Sequence, residues 1–277
     1  MKKNNMFAIH AIFIAKENIL FMEEWIDYHI NLGFDKFYLY DNSKVNSYNN
    51  YTTLWSLSGR LNGQVPGKVN KYGIDYNELV KLTDLEIKEI LDKLTKKYKD
   101  KVFFFEWSPK DFFGNILFNQ DEAHNNCLEK FRNDNIDWAI CMDMDEFIVI
   151  NKCEKINDYI NNLSDDISNI KLSQIRFDSR FNNINKLITE IDFVEDYDYP
   201  MEKNSKNLFK VNKTSKLTMH TWSGEGNSIS PKLNDIWFNH YKINNSNWRI
   251  INNINNKIKN KIKENSKNYI LNKYAYT

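Results

Sequence analysis

The chain has 277 residues, 42% of them hydrophobic and 14% aromatic, which suits one large α/β domain or two small ones and argues against global disorder. Its formal net charge of +1 argues against a dedicated nucleic-acid binder, which would carry a strong basic excess. The three cysteines, Cys127, Cys141 and Cys153, show no Cys-x-x-Cys pairing. Cys127 and Cys141 fall on apolar faces, which predicts core residues in a reducing compartment and no disulfide framework.

The first element is Phe7 to Ile14, a nearly continuous apolar run that reads as a strand buried on both faces. The polar, basic start before it, Met1 to Asn5, and the shortness of the run argue against a membrane span. A soluble cytoplasmic protein is expected, with a membrane-associated site of assembly as the alternative. Phe21, Trp25, Tyr28 and Leu32 then share one helix face, with Gly33 placed to cap it. Phe37 to Tyr40 is the next strand, ending at the turn signal Asp41-Asn42-Ser43. Strand, helix, strand predicts a parallel pair joined by a right-handed crossover.

Tyr48 to Tyr76 is polar and glycine-rich and reads as a long loop or lid. The spacing predicts a helix over Glu78 to Lys97, a strand over Val102 to Trp107 and a helix over Asn115 to Arg132. Trp138 to Met142 is the fourth strand. Later strands are expected at Ile170–Phe177, Leu187–Val194, Leu208–Val211, Leu217–His220 and Ile236–Tyr241. From Asn247 onward, Trp248, Ile251, Ile254, Ile258 and Ile262 predict an amphipathic helix. Its basic polar face allows weak contact with a membrane surface.

The fourth strand runs into Asp143-Met144-Asp145-Glu146-Phe147. Three carboxylates at the end of an apolar strand are costly to desolvate unless something positive binds there. On an extended segment, Asp143 and Asp145 would point the same way and converge on one ion. Hard oxygen ligands suit Mg²⁺ or Mn²⁺, ions that commonly carry a substrate phosphate. Phosphatases with an aspartyl nucleophile also place Asp-x-Asp after an apolar strand. Their motif opens the chain and continues to Thr or Val, whereas here Glu146 and Phe147 follow, about halfway along.

Other residues have competing structural and functional readings. Asp41 is either a turn former or a nucleoside ligand. Lys16-Glu17-Asn18 is either ordinary helix-start chemistry or a binding position at a helix start, where backbone N–H donors gather. His10, His29 and His124 lie within predicted elements and read as structural. His220 and His240 end short strands late in the chain, where a neutral imidazole can complete the coordination of an ion held by Asp145. The acidic stretch Glu190 to Asp198 reads as the wet face of a strand.

Lys16-Glu17-Asn18, Glu24-Trp25-Ile26-Asp27-Tyr28-His29 and Leu32 to Asn42 together resemble the opening of glycosyltransferase family 92 and related family-2-like enzymes. Gln120, Ala123, Asn125 and Cys127, followed by Trp138 and Met142 to Phe147, resemble a second signature of that group, and Asn239-His240-Tyr241 a late one. The resemblance implies an α/β fold of the glycosyltransferase A-type: a Rossmann-like mixed sheet flanked by helices. It implies a nucleotide-sugar-binding half over residues 1–150 and an acceptor-binding half of the same domain over 151–245, with 246–277 as the C-terminal helix.

The implied reaction is metal-dependent transfer of a hexosyl group from a nucleoside diphosphate sugar, commonly UDP-linked, to an acceptor hydroxyl of a glycan, glycoprotein or glycolipid. It implies a Mn²⁺ or Mg²⁺ cofactor held by Asp143 and Asp145 with His240, or alternatively His220. Lys16, Asn18, Asp41, Gln120, Asp143 and Lys242 would face the donor. The resemblance favours inversion, which needs a carboxylate base; Asp178 is the first choice, with Glu225 and Asp196 behind it. The alternatives are a metal-dependent hydrolase of nucleotide sugars or other phosphoesters, and a non-catalytic sugar-binding protein.

Overall fold

A computed structural model of the chain describes residues 3–45, 82–178, 205–232 and 235–242. Strands β1 (Phe7–Phe13), β2 (Lys36–Asp41), β3 (Val102–Glu106) and β4 (Trp138–Cys141) run parallel in the order β3-β2-β1-β4. The sheet continues through β8 (Lys206–Lys210), antiparallel to β4, then β6 (Ile167–Leu172) and β11 (Asn227–Ile229). Among the described residues it therefore has seven strands, and both halves of the chain contribute to it.

Period-two alternation builds its two cores. Phe7, Ile9, Ala11 and Phe13 of β1 pack on one face with Phe37, Leu39 and Ile140. Ala8 and Ile12 pack on the other with Tyr38, Tyr40 and Ala139. Both faces are covered, which is why β1 reads as an unbroken apolar run. Helix α1 (Ala15–Leu32) packs through Trp25 and Ile26, and it ends at Gly33, whose φ of 103° allows its N–H to bond the carbonyls of His29 and Ile30.

Helix α2 (Asp84–Lys97) starts later than the spacing predicts. Thr83 caps it in a reciprocal box with Glu86, and the preceding residues 82–83 are not helical. Helix α3 (Gln120–Asn133) is also shorter than expected. Residues 115–119 instead follow a tight loop, in which Ile116 bridges Lys110 and Asn119 takes a φ of 39°. Gln120 thereby becomes the first residue of the helix, next to the sheet.

A three-stranded sheet, β5 (Glu146–Ile150), β12 (Ile236–Lys242) and β7 (Gln174–Asp178), lies beyond β4. The predicted single strand over 170–177 is in fact two strands, β6 and β7, split at Ser173 and placed in different sheets. Thr214–Leu217 and Trp222–Gly224 form a small antiparallel ribbon, β9 and β10. His220 lies in the turn between them and does not end a strand. The long loop, the strand expected over 187–194, the acidic stretch and the 246–277 helix lie outside the described residues. Among the described residues, no helix is long and apolar enough to cross a membrane.

Candidate active site

The acidic motif sits where the chain leaves the large sheet for the small one, at the carboxyl end of β4. Met142 still donates its N–H to the His10 carbonyl of β1 at 3.0 Å. The chain then turns, with Glu146 N–H bonded to the Asp143 carbonyl at 3.1 Å, and β5 begins. Asp143 and Asp145 therefore lie in a turn, not on an extended strand as the spacing predicts, and they meet different partners. Ligands in open α/β sheets bind outside this edge.

Helix α1 fixes that turn from behind. The Trp25 indole donates to the Glu146 carbonyl at 2.8 Å, and the Tyr28 hydroxyl to the Ile148 carbonyl at 2.6 Å. Both side chains are buried. The amphipathic face that reads as simple core in the sequence also orients the first turn of β5.

Asp143 is held by two side chains. Gln120 donates to its Oδ1 at 3.1 Å and the Lys206 ammonium reaches its Oδ2 at 3.3 Å. Lys206 also lies 3.3 Å from Glu146 Oε2, an oxygen that accepts the Asp143 N–H at 2.8 Å. Burial pushes the Glu146 pKa up to about 7, against the pull of Lys206. The carboxylates hold the ammonium of Lys206 above its usual range, although burial alone would lower it. With two donors on one oxygen, Glu146 is tied into the fold and is not an open ligand.

Asp145 has a different environment. Its Oδ2 is 3.3 Å from His240 Nε2, and its buried Oδ1 has no hydrogen-bond partner among the described residues. His240 reaches it because β12 pairs with β5 in a register that sets His240 opposite Glu146. On its other side, His240 Nδ1 donates to Gln174 Oε1 at 2.7 Å. A neutral imidazole donating through Nδ1 presents a lone pair at Nε2. Two acceptors then face each other, an arrangement that needs a proton or a cation. Burial alone would lower the His240 pKa, but Asp145, with Glu146 and Asp143, raises it above the usual value.

The orphaned Asp145 oxygen and the imidazole lone pair fit a divalent cation, with Gln174 as the partner that fixes the ring. Among the described residues, no three His, Cys, Asp or Glu side chains close around one point. Further oxygen ligands would come from the substrate, as is usual for Mg²⁺ and Mn²⁺ sites.

The other candidates fall in several places. His220 Nδ1 donates to the Ser205 carbonyl, 3.2 Å away, on the Lys206 side of Asp143. Asp41 forms a turn with Ser43, whose N–H it accepts at 2.9 Å. Asn18 reaches back to the Ile14 N–H at 3.1 Å and Lys16 pairs with Asp84 at 3.4 Å. Asp178 and Lys242 are register partners at the ends of parallel β7 and β12, two residues beyond His240. Glu225 is not brought to the motif. It precedes β11, a strand parallel to β6 and so running the same way as β4, and lies at the opposite edge, exposed and paired with Lys213 at 3.1 Å. Asp196 lies outside the described residues.

Residues 77–275 match glycosyltransferase family 92. The chain belongs to that family. It is a glycosyltransferase enzyme, and its mixed sheet, seven-stranded among the described residues and flanked by helices, agrees with the glycosyltransferase A-type fold. The matched segment of this family-92 enzyme contains Gln120, the acidic motif, Lys206 and His240, while Lys16, Asn18 and Asp41 precede it. No curated protein matches the chain.

Sequence reasoning missed Lys206 and Gln174. The signal for Lys206 was its place directly ahead of a buried strand run, Asn207 to Phe209, where a lysine cannot reach water. Gln174 carried no signal, because only the pairing of β7 with β12 brings it to His240.

Proposed function

We propose that this glycosyltransferase moves a hexosyl group from a nucleoside diphosphate sugar, UDP-linked, to an acceptor hydroxyl with inversion. The single observation that carries this reading is Asp145: a buried carboxylate oxygen without a partner, next to an imidazole already fixed by Gln174. Asp145 and His240 would hold Mn²⁺ or Mg²⁺, which when bound supplies charge neutralisation for the leaving diphosphate. Asp143, fixed by Gln120 and Lys206, faces the donor from the other side of the turn.

The step is a single displacement. The acceptor oxygen forms a bond to the anomeric carbon, the bond from that carbon to the diphosphate oxygen breaks, and a carboxylate takes the hydroxyl proton. Asp178 is the proposed base, at the end of β7 in register with Lys242, which is proposed to meet the diphosphate. Glu225 drops out, because it occupies the opposite edge of the sheet. Glycans, glycoproteins and glycolipids are the acceptor class.

The test is a thermal-shift screen of nucleotide sugars with and without Mn²⁺, since a ligand that binds only the folded state raises its apparent stability. A UDP-sugar that raises the transition only when Mn²⁺ is present supports the proposal. A screen in which no nucleotide sugar shifts it with any divalent ion overturns the proposal. Product analysis separates transfer from hydrolysis: sugar released only to water would replace transfer with a hydrolase.

A further inference from the structure

We propose that Lys206 is a positioning residue of the donor site: a built-in ammonium that locks Asp143 and Glu146 together and leaves Asp145 to take the added cation. This rests on the cation site proposed above.

Lys206 opens β8, which lies between β4 and β6 in the large sheet. Its side chain is 1% exposed, so the ammonium has no route to water and must be neutralised where it sits. Asp143 and Glu146, each at 3.3 Å, do this. The Asp143 N–H, donating to the same Glu146 oxygen, closes a ring of three contacts. Asp143 is therefore held by both its backbone and its side chain, and Gln120 secures its second oxygen. His124, Cys141 and His220 also feel the charge of the ammonium, and as neutral groups none of them compensates it.

Asp145 stands outside this ring, against His240. With all three carboxylates ionised, Asp143, Asp145, Glu146 and Lys206 carry a formal charge of −2, the complement of one divalent ion. The fold thus supplies part of the positive charge the motif needs and directs the remainder to Asp145. A like charge near a cation site weakens cation binding, so Lys206 limits metal affinity while fixing Asp143 for the donor.

Mn²⁺ binding at pH 8, followed by the electron paramagnetic resonance of the free ion, tests this without relying on turnover. Lys206→Met is expected to bind Mn²⁺ at least threefold more tightly than the wild type and Glu146→Gln at least threefold more weakly. The double variant returns to within twofold of the wild type. Turnover falls at least tenfold in both variants that lack Lys206, mainly in kcat, because Asp143 is no longer held. Should Lys206→Met fail to fold, the double variant, which removes both buried charges, is compared with Glu146→Gln and must bind Mn²⁺ at least threefold more tightly. Equal or weaker binding on removing Lys206 overturns the proposal. An Asp145→Ala variant that binds Mn²⁺ as the wild type does, or a wild type that binds none, instead removes the cation site itself and the proposal with it.

Discussion

His240 faces Asp145 across 3.3 Å although the two are remote in sequence, because the β5–β12 register sets His240 opposite Glu146. The pair is the centre of the proposed cation site. Asp145→Asn keeps the shape and removes the charge, so turnover is expected to fall by a factor on the order of 10² or more, the scale of losing one preorganised electrostatic partner. Its melting temperature should stay close to that of the wild type. Steady-state kinetics with saturating Mn²⁺, beside a melting curve, checks both.

Gln174 fixes the His240 ring through a 2.7 Å bond to Nδ1. Gln174→Leu removes that bond without touching the proposed ion. Outer partners of this kind affect metal affinity by roughly 10–100-fold. The Mn²⁺ concentration for half-maximal activity is expected to rise by that factor, with kcat at saturating Mn²⁺ largely retained.

Trp25 ties α1 to the motif through the Glu146 carbonyl. Trp25→Phe keeps most of the ring volume and leaves that buried carbonyl unsatisfied, which costs about 1–3 kcal/mol. Urea unfolding should show the loss as a lower midpoint with an unchanged slope.

Acid should destabilise the fold. Burial lowers the pKa of His10 to about 4 and of His29 to about 3, from the usual 6.5. Between pH 6.5 and 4 the unfolded chain therefore binds protons that the folded chain does not, and stability falls as the pH is lowered. Each histidine accounts for roughly 3 kcal/mol by pH 4 at about 1.4 kcal/mol per unit, and His124, also lowered by burial, acts in the same direction. Glu146 works the other way. Its raised pKa of about 7 makes its contribution fullest below the usual 4.5 and fading through pH 7, which offsets roughly 3 kcal/mol of the loss. Thermal melts from pH 7 to pH 4 should show a net decrease, and a flat profile would remove the buried-histidine argument.

The proposed base separates cleanly from its rival. Asp178→Asn is expected to lower kcat by a factor on the order of 10² or more, the scale of general-base catalysis. Glu225→Gln should leave kcat within twofold, since Glu225 is exposed at the far edge with Lys213. The opposite pattern, measured in one transfer assay, would exchange the two assignments.

Much of the architecture is legible along the chain because it is local. The unbroken apolar run of β1 implies cover on both faces, the helix face through Trp25 and Tyr28 implies a crossover, and Gly33 marks the helix end. Boundaries are less legible where a cap or a tight loop overrides periodicity, as at Thr83 and over residues 115–119. The split of residues 167–178 into two strands depends on which sheet each half joins, which no local pattern encodes.

By itself, the sequence determined that an acidic segment would stand at the end of a buried parallel strand and that such a segment requires positive charge. Only the tertiary structure decided where that charge comes from. Lys206 meets Asp143 and Glu146 because β8 runs antiparallel beside β4, and His240 meets Asp145 because β12 pairs with β5. Both are contacts between strands far apart in the chain. Their partners are chosen by sheet register and burial, quantities that exist only once the strands have assembled.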